Sequence, residues 1–283
     1  MGRGGFPIPM GKGGGIVGLV ITIIIAVVAG PGALGGGGTG VELPGSFDSF
    51  PASDPPGGGT PGGGGVPGAP DPEEELVQFV SFVLDDVQNF WTTSFKAGGQ
   101  TYPRAELVLF RSQTNSGCGA ASSASGPFYC PADQTAYLDL GFFRELRDRF
   151  AAPGDFAQAY VLAHEIGHHV QKVTGINDQV RKAQSDDPGK ANELSVRQEL
   201  QADCFAGAWG HSTFERGVLE ANDLEEGLAA AASIGDDRIQ QQAGRRVDRE
   251  SFTHGSSEQR VRWFRRGFDS GRAEDCDTFS GDI

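Results

Sequence analysis

"VLAHEIGHHV", residues 161–170, decides how the rest of this chain is read. On a helix, residues four apart share a face, so His164 and His168 present two imidazoles to one point. Glu165 then sits beside that point, where its carboxylate can take a proton from water at a metal ion. The competing reading is a pair of core histidines satisfied by hydrogen bonds, which leaves Glu165 as a costly charge on an apolar helix. His169 points about 100° away from His168 and is expected to pack or hydrogen-bond elsewhere.

A catalytic zinc ion takes three protein ligands and keeps a fourth position open. The continuation H-x-x-G-x-x-H would need glycine and histidine where this chain has Gln171 and Thr174, so that solution fails. A second stretch, "RQELQADCFAGAWGH" (197–211), offers another. Glu199 and Asp203 are four apart in a helix otherwise carrying Leu194, Val196, Leu200, Ala202, Phe205, Ala206 and Trp209. Carboxylates in such a helix need partners, which the histidine helix supplies. Glu199 is expected as the third ligand, ahead of Asp203 and Glu193, and Asp203 as acceptor for the free N–H of a ligating histidine.

Working outward, Asp71, Pro72 and Glu73–Glu75 are helix-start signals, followed by an apolar face from Leu76 to Phe90. Residues 105–112 and 134–143 have the character of strands, the latter running into a helix, "FFRELRDRF" (142–150). Long helices are expected from Asp155 to about Thr174 and over about 192–214, separated by a polar stretch. Two more are expected over 222–242 and 256–270, the last capped by Ser256 or Ser257. The fold class is α+β, mostly helical with a small sheet.

Of 44 glycines, most precede residue 70, and that Gly/Pro-rich stretch cannot bury enough apolar surface to fold. The exception within it is "IVGLVITIIIAVVAG" (16–30), preceded by Arg3 and Lys12 and followed by acidic residues, which predicts a membrane segment with the N-terminus inside. The expected organisation is a cytoplasmic start over 1–15, a transmembrane anchor over 16–34, a disordered linker over 35–71 and a metallopeptidase domain over 72–283. A cleaved signal peptide, with Val27 and Ala29 before the cut, is the alternative and makes the protein secreted.

Four cysteines suit an oxidising compartment and two disulfides. Cys118 with Cys130 would clip a local loop and leave Cys204 with Cys276, although three pairings are open. A Cys₄ zinc site is disfavoured, because no C-x₂-C spacing occurs. The net charge of −14 argues against nucleic acid and against retention on anionic lipid by the protein's own surface.

Four blocks carry a resemblance: "CPADQTAYLDLGFF" (130–143), "GDFAQAYVLAHEIGHHVQ" (154–171), "RQELQADCFAGAWGH" (197–211), and the series "HGSSEQR", "WFRRGF" and "CDTF" between 254 and 279. In this order they resemble the bacterial neutral zinc metallopeptidase family, the YpfJ-like proteins, over most of residues 75–280. The resemblance implies a zincin-type fold, one zinc ion per chain and a membrane-anchored peptidase domain outside the cytoplasm. Its E-x-x-x-D pattern also implies Glu199 as third ligand. In zincins a strand beside the active-site helix pairs with extended substrate; "QTAYLDL" (134–140) is either that strand or an ordinary core strand. Tyr137, Tyr160, His211 and His254 are candidate donors to a tetrahedral intermediate, with His254 the first choice.

The expected function is therefore zinc-dependent hydrolysis of a peptide or protein substrate in the cell envelope. A non-catalytic zinc-stapled binding protein and a zinc amidase acting on cell-wall peptides are the alternatives.

Overall fold

The computed structural model describes residues 21–22, 72–144, 146 and 154–283. Helix α1 (Pro72–Ala97) opens with three glutamates and ends with Lys96, charges that complement the helix dipole. Val80, Val83, Val87 and Trp91 form its buried stripe, while Phe82 on the opposite side stays exposed. Gly99, at φ +73°, lies just past its end, where a left-handed residue turns the chain.

Among the described residues the strands are β1 (Ile21–Thr22), β2 (Glu106–Phe110), β3 (Gln113–Ser116), β4 (Gly119–Ser122), β5 (Phe128–Cys130) and β6 (Thr135–Asp139). The main sheet runs β1-β5-β6-β2, with β6 parallel to β2 and antiparallel to β5. Every residue of β6 is buried. Residues 135–137 of β6 are paired on both sides and the whole strand is buried, so 134–140 is an ordinary core strand and not the substrate strand. The β3–β4 hairpin was not foreseen, and its turn is tied to β5 by the disulfide Cys118–Cys130.

Helix α2 (Asp155–Val173) carries the histidines and has 15 of its 19 residues buried, so it is a central element packed on all sides. Residues 142–144 are helical, but most of the expected 142–150 helix lies outside the described residues. The polar stretch after α2 contains a further helix, α3 (Ile176–Asp186), with only Asn177 and Val180 buried. Helix α4 (Ala191–Glu215) matches the second long helix. The single helix expected over 222–242 is two, α5 (Asp223–Ser233) and α6 (Asp236–Gln242), broken at Gly235. A Cβ on Gly235 would lie 2.3 Å from Ser257 N, so the break lets the start of α7 (Ser257–Ser270) approach. Ser256, not Ser257, caps α7, in a reciprocal capping box with Gln259.

Two close helix crossings set the site. A Cβ on Gly167 of α2 would come within 3.1–3.2 Å of Ala202 on α4, so the absence of a side chain there brings the two helices together. Between α4 and α7 the backbones touch: a Cβ on Gly207 would lie 2.0 Å from Phe264 O, and one on Gly267 1.9 Å from Cys204 O. The disulfide Cys204–Cys276 ties α4 to the tail beyond α7.

Ile21 and Thr22 fall in the apolar N-terminal segment and are extended, paired antiparallel with Tyr129 and Phe128, where the anchor reading expects helix. The rest of that segment and the linker lie outside the described residues. Among the described residues, no helix is long and apolar enough to cross a membrane.

Candidate metal centre

Helix periodicity and the Gly167 contact put His164, His168 and Glu199 in one place. His164 Nε2 is 3.2 Å from Glu199 Oε2, and His168 Nε2 is 3.5 Å from Glu199 Oε1. Two tetrahedral ligands each about 2.0–2.1 Å from one ion stand roughly 3.3 Å apart, so this donor spacing fits a zinc ion. All three side chains are buried, with ligand atoms within 4.8 Å of one another. Further support comes from orphaned atoms: His168 Nε2 and both carboxylate oxygens of Glu165 are buried without a hydrogen-bond partner. Buried polar atoms are normally satisfied, and a cation with attached water would satisfy these.

Each histidine is aimed by its other nitrogen. His164 Nδ1 lies 2.9 Å from Asp203 Oδ1, and His168 Nδ1 lies 2.9 Å from Gln171 Oε1. Gln171 is itself fixed by donating to Gln198 O and Gln201 Oε1. With both Nδ1 atoms donating, it is the Nε2 atom of each ring that faces Glu199. His169 points elsewhere, as its helical position dictates, bonding Tyr129 Oη and Pro103 O and so fastening β5 to α2.

Electrostatics follow from burial. Burial raises the Glu165 carboxyl above its ordinary range, although the neighbouring histidines oppose this. Burial alone would also raise Glu199, but His168 and His164 outweigh it and hold that carboxylate well below the usual range. Burial disfavours a charge on His164, yet its bonds to Asp203 and Glu199 lift the imidazole to about 9.

The four candidate donors separate cleanly. Tyr160 Oη donates to Asp203 Oδ1, Tyr137 Oη to Asp133 and His211 Nδ1 to Phe268 O, so none of these three hydroxyl or ring groups faces the ligands as expected. His254 is held differently: Nδ1 is 3.0 Å from Asp236 Oδ1. Asp236 Oδ2 accepts the backbone N–H groups of Thr253, His254 and Gly255, which fixes the turn. Burial lowers the His254 imidazole, but Asp236 and the nearby charge of Glu199 raise it overall. Glu193, weighed as a ligand, is exposed and pairs with Arg197.

Sequence reasoning missed Gln171, Asp236 and Arg260. Arg260 carried a signal, because it falls on the stripe 260, 263, 264, 267, 268 that α7 buries, an unusual place for an arginine. It is wholly buried and paired with Asp203. Asp236 has no such signal, since an aspartate at a helix start reads as an ordinary cap.

A family model described as "Putative neutral zinc metallopeptidase" matches residues 1–279. The chain is 47% identical over 284 residues to the uncharacterized protein YpfJ of Escherichia coli (strain K12), covering 100% of this chain and 92% of that one. It is 48% identical over 190 residues to the uncharacterized protein Rv2575 of Mycobacterium tuberculosis (strain ATCC 25618 / H37Rv), covering 63% of this chain and 64% of that one. No solved structure matches the chain.

Proposed function

Since the chain belongs to the family described as "Putative neutral zinc metallopeptidase", we propose that it is a zinc-dependent endopeptidase with His164, His168 and Glu199 as ligands and Glu165 as general base. The observation that carries this reading is the Glu165 carboxylate, buried beside the three donors with no partner for either oxygen. When bound, zinc supplies Lewis acidity, polarising the scissile carbonyl and acidifying water. Glu165 accepts the proton of the attacking water and later delivers one to the leaving amine; the raised affinity of its carboxyl for a proton suits both steps. Asp203 and Gln171 orient the two imidazoles. His254, steadied by Asp236, is the donor we assign to the developing oxyanion. The two disulfides support a working place outside the cytoplasm, the location the apolar N-terminal segment suggests.

One observation favours a second reading, a metal that only staples α2 to α4: every ligand side chain is 3% exposed or less. A staple has no use for an unpartnered acid, which weighs against it. Glu165→Gln decides between them. We expect it to retain zinc and lose hydrolysis of an unfolded protein by about 10²-fold or more. Undiminished hydrolysis by the variant would remove Glu165 from the mechanism. Cleavage of purified peptidoglycan peptides, with unfolded protein untouched, would move the substrate class to the cell wall.

A further inference from the structure

Behind His164, on the side away from Glu199, lies a buried polar cluster of which the mechanism above uses only Asp203. Its centre is the Asp203 carboxylate, wholly buried. Asp203 Oδ1 receives His164 Nδ1 at 2.9 Å, Tyr160 Oη at 2.5 Å and Arg260 Nη2 at 2.8 Å. Asp203 Oδ2 receives Arg260 Nε at 2.8 Å. A carboxylate has about four acceptor positions, so this one is saturated by three side chains. Acceptor and donors come from three helices: Tyr160 one turn before His164 on α2, Asp203 on α4, and Arg260 on α7.

We propose that Arg260, assisted by Tyr160, is a positioning residue for the metal: by gripping both oxygens of Asp203 it fixes the acceptor that aims His164 Nε2 at the ion. The inference rests on the zinc reading given above. Three features support it. The guanidinium is bidentate, which sets the plane of the carboxylate as well as its place, something a lysine would not do. Its own position is over-determined, because α7 is in backbone contact with α4 at Gly207 and Gly267, one to two turns from Asp203 and Arg260. Finally, Arg260 Nη2 also lies 3.3 Å from Tyr160 Oη and from His164 Nδ1, so its loss would open space on the whole rear face of the ligand.

The test is zinc affinity of the full chain, measured by competition with a chromophoric chelator. Removing the group that orients a ligand typically weakens metal binding by about 10–100-fold. Arg260→Gln is expected in that range, and Tyr160→Phe lower, at about several-fold. In an Asp203→Asn background, Arg260→Gln should add less than about twofold, because its effect runs through the carboxylate. Unchanged affinity in folded Arg260→Gln overturns the proposal. So does an undiminished effect in the Asp203→Asn background, which would mark a role in folding alone. Should Arg260→Gln fail to fold, Tyr160→Phe, which removes one oxygen and keeps the ion pair, decides the matter: unchanged affinity overturns. A parent chain that binds no zinc sinks the metal reading itself, whereas a parent that binds with unaffected variants sinks only this proposal.

Discussion

The oxyanion role proposed for His254 depends on Asp236, a residue on a separate element. The carboxylate takes the ring nitrogen with one oxygen and three backbone N–H groups with the other, so ring and turn are fixed together. Burial opposes the imidazolium, but Asp236 and Glu199 outweigh it and raise the group above its ordinary 6.5. The sign is therefore that of a protonated donor retained below the folded pKa and lost as pH rises through it. We expect kcat/KM to fall on the alkaline side for this reason. Asp236→Asn should bring that limb to lower pH, and His254→Gln should abolish it while lowering the rate about 10²-fold or more. An alkaline limb identical in parent and both variants would assign it to another group. The core of the site was legible at this scale because helical spacing puts His164 and His168 on one face and Glu199 and Asp203 on another, with Glu165 beside the first pair. Gln171, Asp236 and Arg260 were not legible in the same way, since their roles depend on which helix packs against which.

At the scale of elements, the geometry of the candidate metal centre depends on helix pairs that approach more closely than side chains permit. Gly207→Ala places a methyl 2.0 Å from a carbonyl oxygen of α7, so the helices must part. Overpacking of this kind costs about 1–3 kcal/mol, occasionally more. Gly210→Ala is the control, because its methyl would meet only the Phe268 ring edge at 3.2 Å and the Phe156 ring at 3.4 Å. Denaturant unfolding should show a clear loss for the first and a smaller one for the second. Equal stability of the two variants would mean that the α4–α7 crossing is not as close as described. The long helices were readable from periodicity, but the gap between α5 and α6 was not, because Ile234 and Gly235 break the helix for the sake of a contact with distant Ser257. The β3–β4 hairpin escaped for another reason: its strands are Gln-Thr-Asn-Ser and Gly-Ala-Ala-Ser, without the bulky alternation that marks a strand. Strand β5 has only three residues, too few for a period to show.

Over the whole molecule, the sheet, the histidine helix and the α4–α7 pair are held by separate devices that converge on one buried centre. Cys118–Cys130 secures the hairpin to β5, His169 secures β5 to α2, and Cys204–Cys276 secures α4 to the tail. The two cysteine pairs were one of three possible arrangements from sequence, and the fold selects them by bringing Cys204 beside the C-terminal tail. Such a frame supports a metal whose binding energy adds to folding. The most direct test of the central claim is the metal content of the purified chain beside its Glu199→Ala variant, after dialysis against metal-replete and then metal-free buffer. One zinc per parent chain and a large loss from the variant are expected, with the parent's melting temperature falling when a chelator strips the ion. A parent without zinc under metal-replete conditions, or a variant that holds it as tightly, would contradict the three-ligand site.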